Sequence, residues 1–142
     1  MTATTFAATD QAGAPASGFA YRPGVCNIGP EEIARRRRAG HVGVVATLVL
    51  LAVLVAVDAP PLVRLLVALP AAGAAAGYLQ AWLRFCAGFG SRGVFNFGPL
   101  GRTEAVADEA NRQLDRRRSR EIGLASLAIG LVVAVVAILL PI

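Results

Sequence analysis

The sequence predicts an all-α integral membrane protein with three transmembrane helices and a cytoplasmic interfacial helix. The chain of 142 residues is 56% hydrophobic, which is more than a water-soluble domain of this size needs. Three apolar segments, at about residues 42–58, 62–83 and 122–142, are close to the length that crosses the roughly 30 Å of a bilayer core. Arginines flank one side of these segments, as expected for helices that cross a membrane.

The first 24 residues differ from the rest in composition. Residues 1–24 are rich in Thr, Ala, Gly, Ser and Pro and show no periodicity, so we expect a disordered N-terminal tail. They contain neither the basic start nor the apolar run of a secretory signal, which predicts that the N-terminus stays in the cytoplasm. Residues 25–142 are expected to form a single membrane domain.

The first two spans are predicted to form a tight hairpin. The first helix begins near Pro30, because proline and the two carboxylates that follow it are typical of a first helical turn. It enters the membrane after the arginine run 35–38. The sequence Asp58-Ala-Pro-Pro61 ends it, since neither proline can continue a helix. Arg64, in the first turn of the second span, is expected to pair with the aspartate of this turn.

The second span is built mostly from small residues. Gly73 and Gly77 have the spacing of a small-xxx-small pair, which allows another helix to approach closely. Gln80, near the end of the span, is expected to hydrogen-bond another helix. Pro70 predicts a kink. The middle of this helix is therefore predicted to pack against protein.

The third span is an uncharged segment preceded by a polar helix. Residues 122–142 contain no charged residue. Between Gly98 and Glu121 the sequence predicts a helix capped by Thr103, with a narrow apolar stripe. We expect this helix either to lie on the membrane surface or to continue unbroken into the third span.

The arginine distribution predicts the orientation. Five arginines precede the first span and eight separate the second from the third, against one near the hairpin and none after the third. By the positive-inside rule the N-terminus and the long loop are cytoplasmic and the C-terminus lies outside, in the cell (inner) membrane. No nucleic-acid-binding motif accompanies the arginines, so we expect them to contact anionic lipid headgroups. The predicted contacts are Arg35, Arg36, Arg37, Arg38, Arg116, Arg117, Arg118 and Arg120.

Residues 77–98 hold six of the nine aromatic residues. Within them Gly88-Phe-Gly-Ser-Arg-Gly93 matches the GxGxxG pattern, but it follows a transmembrane helix instead of a strand, so we interpret it as a sharp turn and not as a dinucleotide site. The aromatic side chains are expected to form an aromatic belt or a loop packed between the spans, with a ligand cleft as the alternative.

Cys26, His41 and Cys86 are the candidates for a cofactor site. All three fall on the predicted cytoplasmic side. Thiolate and imidazole groups together can bind zinc, haem or another metal, and two thiols can form a redox pair. Neither cysteine belongs to a CxxC motif, and no fourth ligand is evident. We therefore predict no cofactor, no metal and no catalytic residue, with Cys86 as a small packing residue and His41 as a residue of the membrane interface.

Two stretches, CNIGPEEIARRRRAGH and YLQAWLRFCAGFGSRGVFNFG, resemble the signature stretches of small bacterial multi-span membrane proteins of uncharacterised activity. The resemblance covers roughly residues 25–98, about half of the chain. It implies that the two cytoplasmic stretches belong together, and it assigns no functional residue.

The predicted function is that of a structural or accessory subunit, or an assembly factor, whose second helix packs against another membrane protein or a second copy. One alternative is a small membrane redox or metal- or haem-binding protein that uses Cys26, Cys86 and His41. Another is an oligomeric channel lined by Gly73, Gly77 and Gln80.

Overall fold

The computed structural model describes residues 19–142, so most of the predicted tail, residues 1–18, lies outside the described residues. Within 19–142, three helical segments are long and apolar enough to cross a membrane, which confirms the all-α class and the three spans. The elements are α1 (Pro30–Ala56), a 3₁₀ segment (Pro61–Val67), α2 (Ala68–Leu83), α3 (Ala87–Arg92), β1 (Val94–Phe95), β2 (Glu104–Ala105) and α4 (Glu109–Leu139).

Helix α2 lies between α1 and α4 and packs against both. Its contacts are close because glycines lie where the helices meet, Gly77 of α2 against α1 and Gly130 of α4 against α2. A Cβ atom on Gly77 would lie 2.5 Å from the backbone nitrogen of Gly40, and one on Gly130 would lie 2.6 Å from the carbonyl oxygen of Ala68. Inside a bilayer, helices associate through van der Waals contact and not through hydrophobic exclusion of water, so such backbone approach is a main source of packing energy.

We call the two ends of the bundle the loop end (residues 19–29 and 84–108) and the hairpin end (residues 57–60 and 140–142). At the hairpin end, Arg64 is buried and donates hydrogen bonds to the carbonyls of Ala137 and Leu140 at 3.3 Å and of Ile142 at 2.5 Å. The predicted pairing with Asp58 is wrong, because these carbonyls at the end of α4 lack helical partners and take the guanidinium instead.

Pro70 does not interrupt α2, which runs unbroken from Ala68 to Leu83. The irregular part of the second span lies before it, where Pro61–Val67 is a 3₁₀ helix. Proline has no N–H to donate to the carbonyl of Leu66, so a regular α-helical ladder cannot extend backward through this position.

Helix α4 has 31 residues and a length of about 46 Å, more than a bilayer core requires. The polar segment is thus its N-terminal extension and not a separate helix on the membrane surface. Asp108, and not Thr103, caps it by accepting from the backbone N–H of Ala110 at 2.9 Å. Thr103 cannot serve as the cap because the next residues, Glu104–Ala105, pair with Val94–Phe95 as a short antiparallel ladder.

The prediction of a disordered tail is wrong for residues 19–24. Asp115 of α4 accepts hydrogen bonds from the Tyr21 hydroxyl and from the backbone N–H of Gly24, both at 2.7 Å. The guanidinium of Arg84 lies 5.1 Å from the centre of the Phe19 ring. Composition predicted disorder here because it carries no information about these contacts, which are made by residues more than sixty positions away in the sequence.

Candidate functional site

The loop end contains a cluster of buried polar groups, which we call the polar core: Asn27, Glu32, Arg36, Cys86 and Asn96. Asn27, Glu32 and Asn96 are at most 3% exposed. Burying such groups costs free energy unless they hydrogen-bond one another, so their geometry decides whether the loop end is stable.

Asn27 connects the N-terminal segment to the loop after α2. Its side-chain oxygen accepts from the backbone N–H of Cys86 at 2.6 Å, and its amide nitrogen donates to the carbonyl of Cys86 at 3.1 Å. The backbone around it adds further links, because Asn27 and Gly29 exchange hydrogen bonds with Asn96 at 2.9–3.0 Å. Residues 27–29 therefore lie between two parts of the long loop and bind both.

Glu32 and Arg36 supply the charged part of the polar core. One carboxylate oxygen of Glu32 accepts from the side chain of Asn96 at 3.4 Å, and the other lies 3.8 Å from the Arg36 guanidinium. Arg36 in turn donates to the sulfur of Cys86 at 2.9 Å. Because Glu32 and Arg36 are one helical turn apart on α1, they reach each other without any change in the helix.

A second buried acid, Asp115, holds the N-terminal segment against α4. It is 0% exposed and binds Tyr21 and Gly24 as described above. The pKa of Tyr21 is raised above its ordinary value, first by burial and then by the hydrogen bond to Asp115 and the negative charges of Asp115 and Asp108. The contact therefore requires a neutral tyrosine beside an acidic partner.

The structure does not bring the three cofactor candidates together as one ligand set. The thiol of Cys26 is 3.8 Å from the carbonyl oxygen of Ile28, Cys86 contacts Arg36, and His41 bonds the Tyr78 hydroxyl at 2.6 Å. Both cysteines are buried free thiols, and burial raises the pKa of Cys26. Across residues 19–142 no group of three or more His, Cys, Asp and Glu side chains is placed to hold a metal ion.

The three predicted packing residues of α2 have different surroundings. Gly77 is buried against Gly40, as expected of a close helix contact. A Cβ atom on Gly73 would meet nothing within 4 Å, so this glycine faces outward. Gln80 does not bond another span: its amide nitrogen donates to Ala76 in its own helix, and its oxygen accepts from the N–H of Ala87 at the start of α3, both at 2.9 Å.

The predicted lipid-contacting arginines divide into two groups. In the first group each has a carboxylate partner: Arg35 and Arg36 with Glu32, Arg116 with Glu109, and Arg117 and Arg118 with Glu121. In the second group, Arg37, Arg38 and Arg120 have exposed side chains and no ion pair with a residue of the described segment. The second group is the one free to meet an external anion.

The aromatic residues of the segment 77–98 differ in burial, with two buried, three half-buried and one exposed. Phe85 is 0% exposed and Phe89 is 7% exposed, whereas Trp82 is 81% exposed and alone among these three resembles a belt residue. The GxGxxG stretch forms α3, which ends at Arg92 and is followed by Gly93 with a φ of 70°. Gly90 lies so close to Ser119 and Phe85 that a Cβ would collide with both, and this contact places α3 against α4.

Sequence reasoning did not identify Glu32, Arg36 and Asp115 as a structural site. The i, i+4 spacing of Glu32 and Arg36 was the available signal, but it is common on exposed helices. Asp115 precedes a run of arginines, which is typical of a solvated helix face. Nothing local distinguishes a buried carboxylate from an exposed one.

These observations define a three-span membrane protein whose extramembrane loops are fixed to the helices by a buried polar core. No protein-family model, no curated protein and no solved structure matches the chain.

Proposed function

We propose that the protein is a structural or accessory subunit, or an assembly factor, that packs against another membrane protein or a second copy of itself through α2. One observation carries the proposal. Gly73, in the middle of the second span, is exposed and has open space where a side chain would be, whereas Gly77 one turn later is filled by the backbone of α1.

The presence of glycine at position 73 calls for a compensating interaction. In a helix interior glycine is about 1 kcal/mol less favourable than alanine, and lipid gains nothing from its missing side chain. The compensating interaction is close approach of a second helix, for which small residues are enriched at membrane interfaces. Leu69, which is 73% exposed, and Ala76 lie on the same side of α2 as Gly73; we call these three residues the open face of α2.

The polar core supports a role as a rigid platform. Asn27, Glu32 and Asn96 make their hydrogen bonds with the chain's own loops and helices, which holds the loop end in a fixed relation to α1 and α2. A partner that packs on α2 would then meet a preformed surface, and association would not have to order these loops.

We further propose that the loop end is cytoplasmic and that Ile142 faces the outside of the inner membrane. Every arginine except Arg64 belongs to the segments before the first span or between the second and third. A reporter fused after Ile142 is expected to react with membrane-impermeant reagents added outside intact cells. Labelling only after the membrane is opened would contradict the orientation without bearing on the packing role.

The packing role is tested by affinity purification in mild detergent, followed by mass spectrometry, metal analysis and cross-linking. The wild-type chain is expected to retain a partner or a second copy, and Gly73→Leu is expected to lose it while its thermal unfolding is unchanged. Gly123→Leu is the matched control, because Gly123 also has open space around it but lies on α4. Association that survives Gly73→Leu, or a wild-type chain that is monomeric and alone, would overturn the proposal. Bound metal or haem would favour the alternative cofactor protein.

A further inference from the structure

A cavity of about 480 Å³ opens at the side of the bundle where α1 and α2 cross, and we call it the rim cleft. It is lined by Arg37, His41, Tyr78, Leu79, Ala81 and Trp82. The crossing of α1 and α2 creates this cleft. The ring of Tyr78 fills the space over Gly40, and the two helices touch at Gly77, so the longer side chains on either side of the contact form the walls.

The rim cleft is positively charged. Arg37 and His41, one turn apart on α1, are its basic groups, and none of its lining residues is acidic. The neighbours Arg35 and Arg36 are occupied by Glu32, while Arg37 makes no ion pair with any residue from 19 to 142. An exposed guanidinium without a carboxylate partner is a ready donor for a phosphate oxygen.

His41 can add a second donor. Its Nδ1 atom is 2.6 Å from the Tyr78 hydroxyl. When Tyr78 donates this hydrogen bond, the proton of the neutral imidazole resides on Nε2, and a protonated imidazole also carries one there. In both cases Tyr78 fixes the ring while Nε2–H remains available, so two donors from adjacent turns of α1 serve the same cleft.

The position of the rim cleft relative to the apolar spans indicates which kind of anion it binds. The apolar segment of α1 begins at Val42, directly after His41, and α2 ends at Leu83, directly after Trp82. The cleft therefore lies at the boundary between the apolar spans and the arginine-rich loop end. Trp82 is 81% exposed at this level, where tryptophan is typical of the headgroup region. Leu79 and Ala81 give the cleft an apolar wall that suits an acyl chain and offers nothing to a small soluble anion.

We propose that the rim cleft binds the phosphate group of an anionic phospholipid. Arg37 and His41 donate to the phosphate, and Trp82 packs against the glycerol and the upper part of the acyl chain. This site is distinct from the open face of α2 and does not depend on the packing role. It differs from diffuse attraction between arginines and the membrane because it requires two particular side chains and one cavity.

The single tryptophan of the chain provides the test, since Trp82 lines the cleft. The purified full chain in detergent micelles is titrated with phosphatidylglycerol or phosphatidylcholine whose acyl chains carry bromine, which quenches tryptophan fluorescence on contact. We expect half-quenching at about tenfold lower phosphatidylglycerol than phosphatidylcholine, because both lipids offer a phosphate but the quaternary ammonium of choline places a second positive charge near Arg37.

The double variant Arg37→Gln, His41→Gln is expected to lose this preference. Arg38→Gln removes the same charge one position away without touching the cleft and is expected to keep it. Both variants are required to unfold at the wild-type temperature. Equal loss in Arg38→Gln would mean diffuse surface charge and would overturn the site. Loss of the wild-type preference on adding excess inorganic phosphate at constant ionic strength would mean a soluble-anion site and would overturn the lipid assignment.

Discussion

Asn27 binds both backbone groups of Cys86, a residue 59 positions further along the chain. One side chain thereby satisfies the buried N–H of Cys86, and it shares the buried carbonyl of Cys86 with the N–H of Gly90, which bonds that carbonyl at 2.9 Å at the start of α3. Backbone hydrogen bonds from Asn27 to Arg84 and between residues 27–29 and Asn96 join the same two segments, so this amide is one of several links between the two stretches that the sequence suggested belong together.

Replacing Asn27 by alanine is expected to lower the free energy of unfolding by about 1 to 3 kcal/mol, because it leaves the buried N–H of Cys86 without a partner while the carbonyl of Cys86 keeps its bond from Gly90. Gln113→Ala, which removes an exposed amide, is expected to change it by no more than about 0.5 kcal/mol. Both are measured by denaturant titration in detergent micelles. Equal stability of the two variants would show that the Asn27 contacts are not formed.

Arg64→Leu is expected to loosen the last turn of α4, since the carbonyls of Ala137 and Ile142 lose their donor near the membrane and that of Leu140 keeps only the N–H of Ile142. Hydrogen exchange of residues 134–142 measures this, and faster exchange confined to that turn is the expected result. Asp58→Asn should leave the same amides unchanged, because no ion pair joins Asp58 to Arg64. If Asp58→Asn accelerates exchange as much, the predicted hairpin ion pair exists after all.

The Tyr21 contact predicts a loss of stability at alkaline pH. The folded-state pKa of Tyr21 is raised above the ordinary value of 10.0, so between these two values the unfolded chain has released the proton while the folded chain retains it. Stability from this group is thus fully present below pH 10 and falls as the pH rises beyond it. Tyr21→Phe is expected to be less stable at neutral pH by about 1 kcal/mol and to decline less steeply above pH 10. Parallel pH profiles for the two proteins would contradict this.

The thiols are expected to be unreactive in the folded protein. Cys26 and Cys86 are 2% and 1% exposed, and the raised pKa of Cys26 reduces its thiolate fraction further. Single-cysteine variants treated with a maleimide in micelles should react only after denaturation. Rapid labelling of Cys86 without denaturation would indicate an accessible thiol beside Arg36 and would revive the redox hypothesis.

The membrane class and the three spans could be predicted because they depend on the average hydropathy of short stretches of sequence. About twenty consecutive apolar residues prefer a bilayer to water whatever they pack against. The sequence Asp58-Ala-Pro-Pro61 ends a helix in any context. The close contact of Gly77 was predicted in kind, but its partner, Gly40, was not. A small residue indicates that another helix backbone can approach it, but it does not indicate which helix this is.

The sequence by itself determined that this is a membrane protein, how many spans it has and how unevenly its charges are placed. Each of these properties follows from residues that are adjacent in the chain. Tertiary structure alone decided that Asp115 is buried against Tyr21, that Arg64 caps α4 instead of pairing with Asp58, and that Arg37 and Trp82 share a cleft. Those outcomes depend on which distant groups meet when the helices cross, and a polar side chain looks the same in sequence whether water or another residue satisfies it.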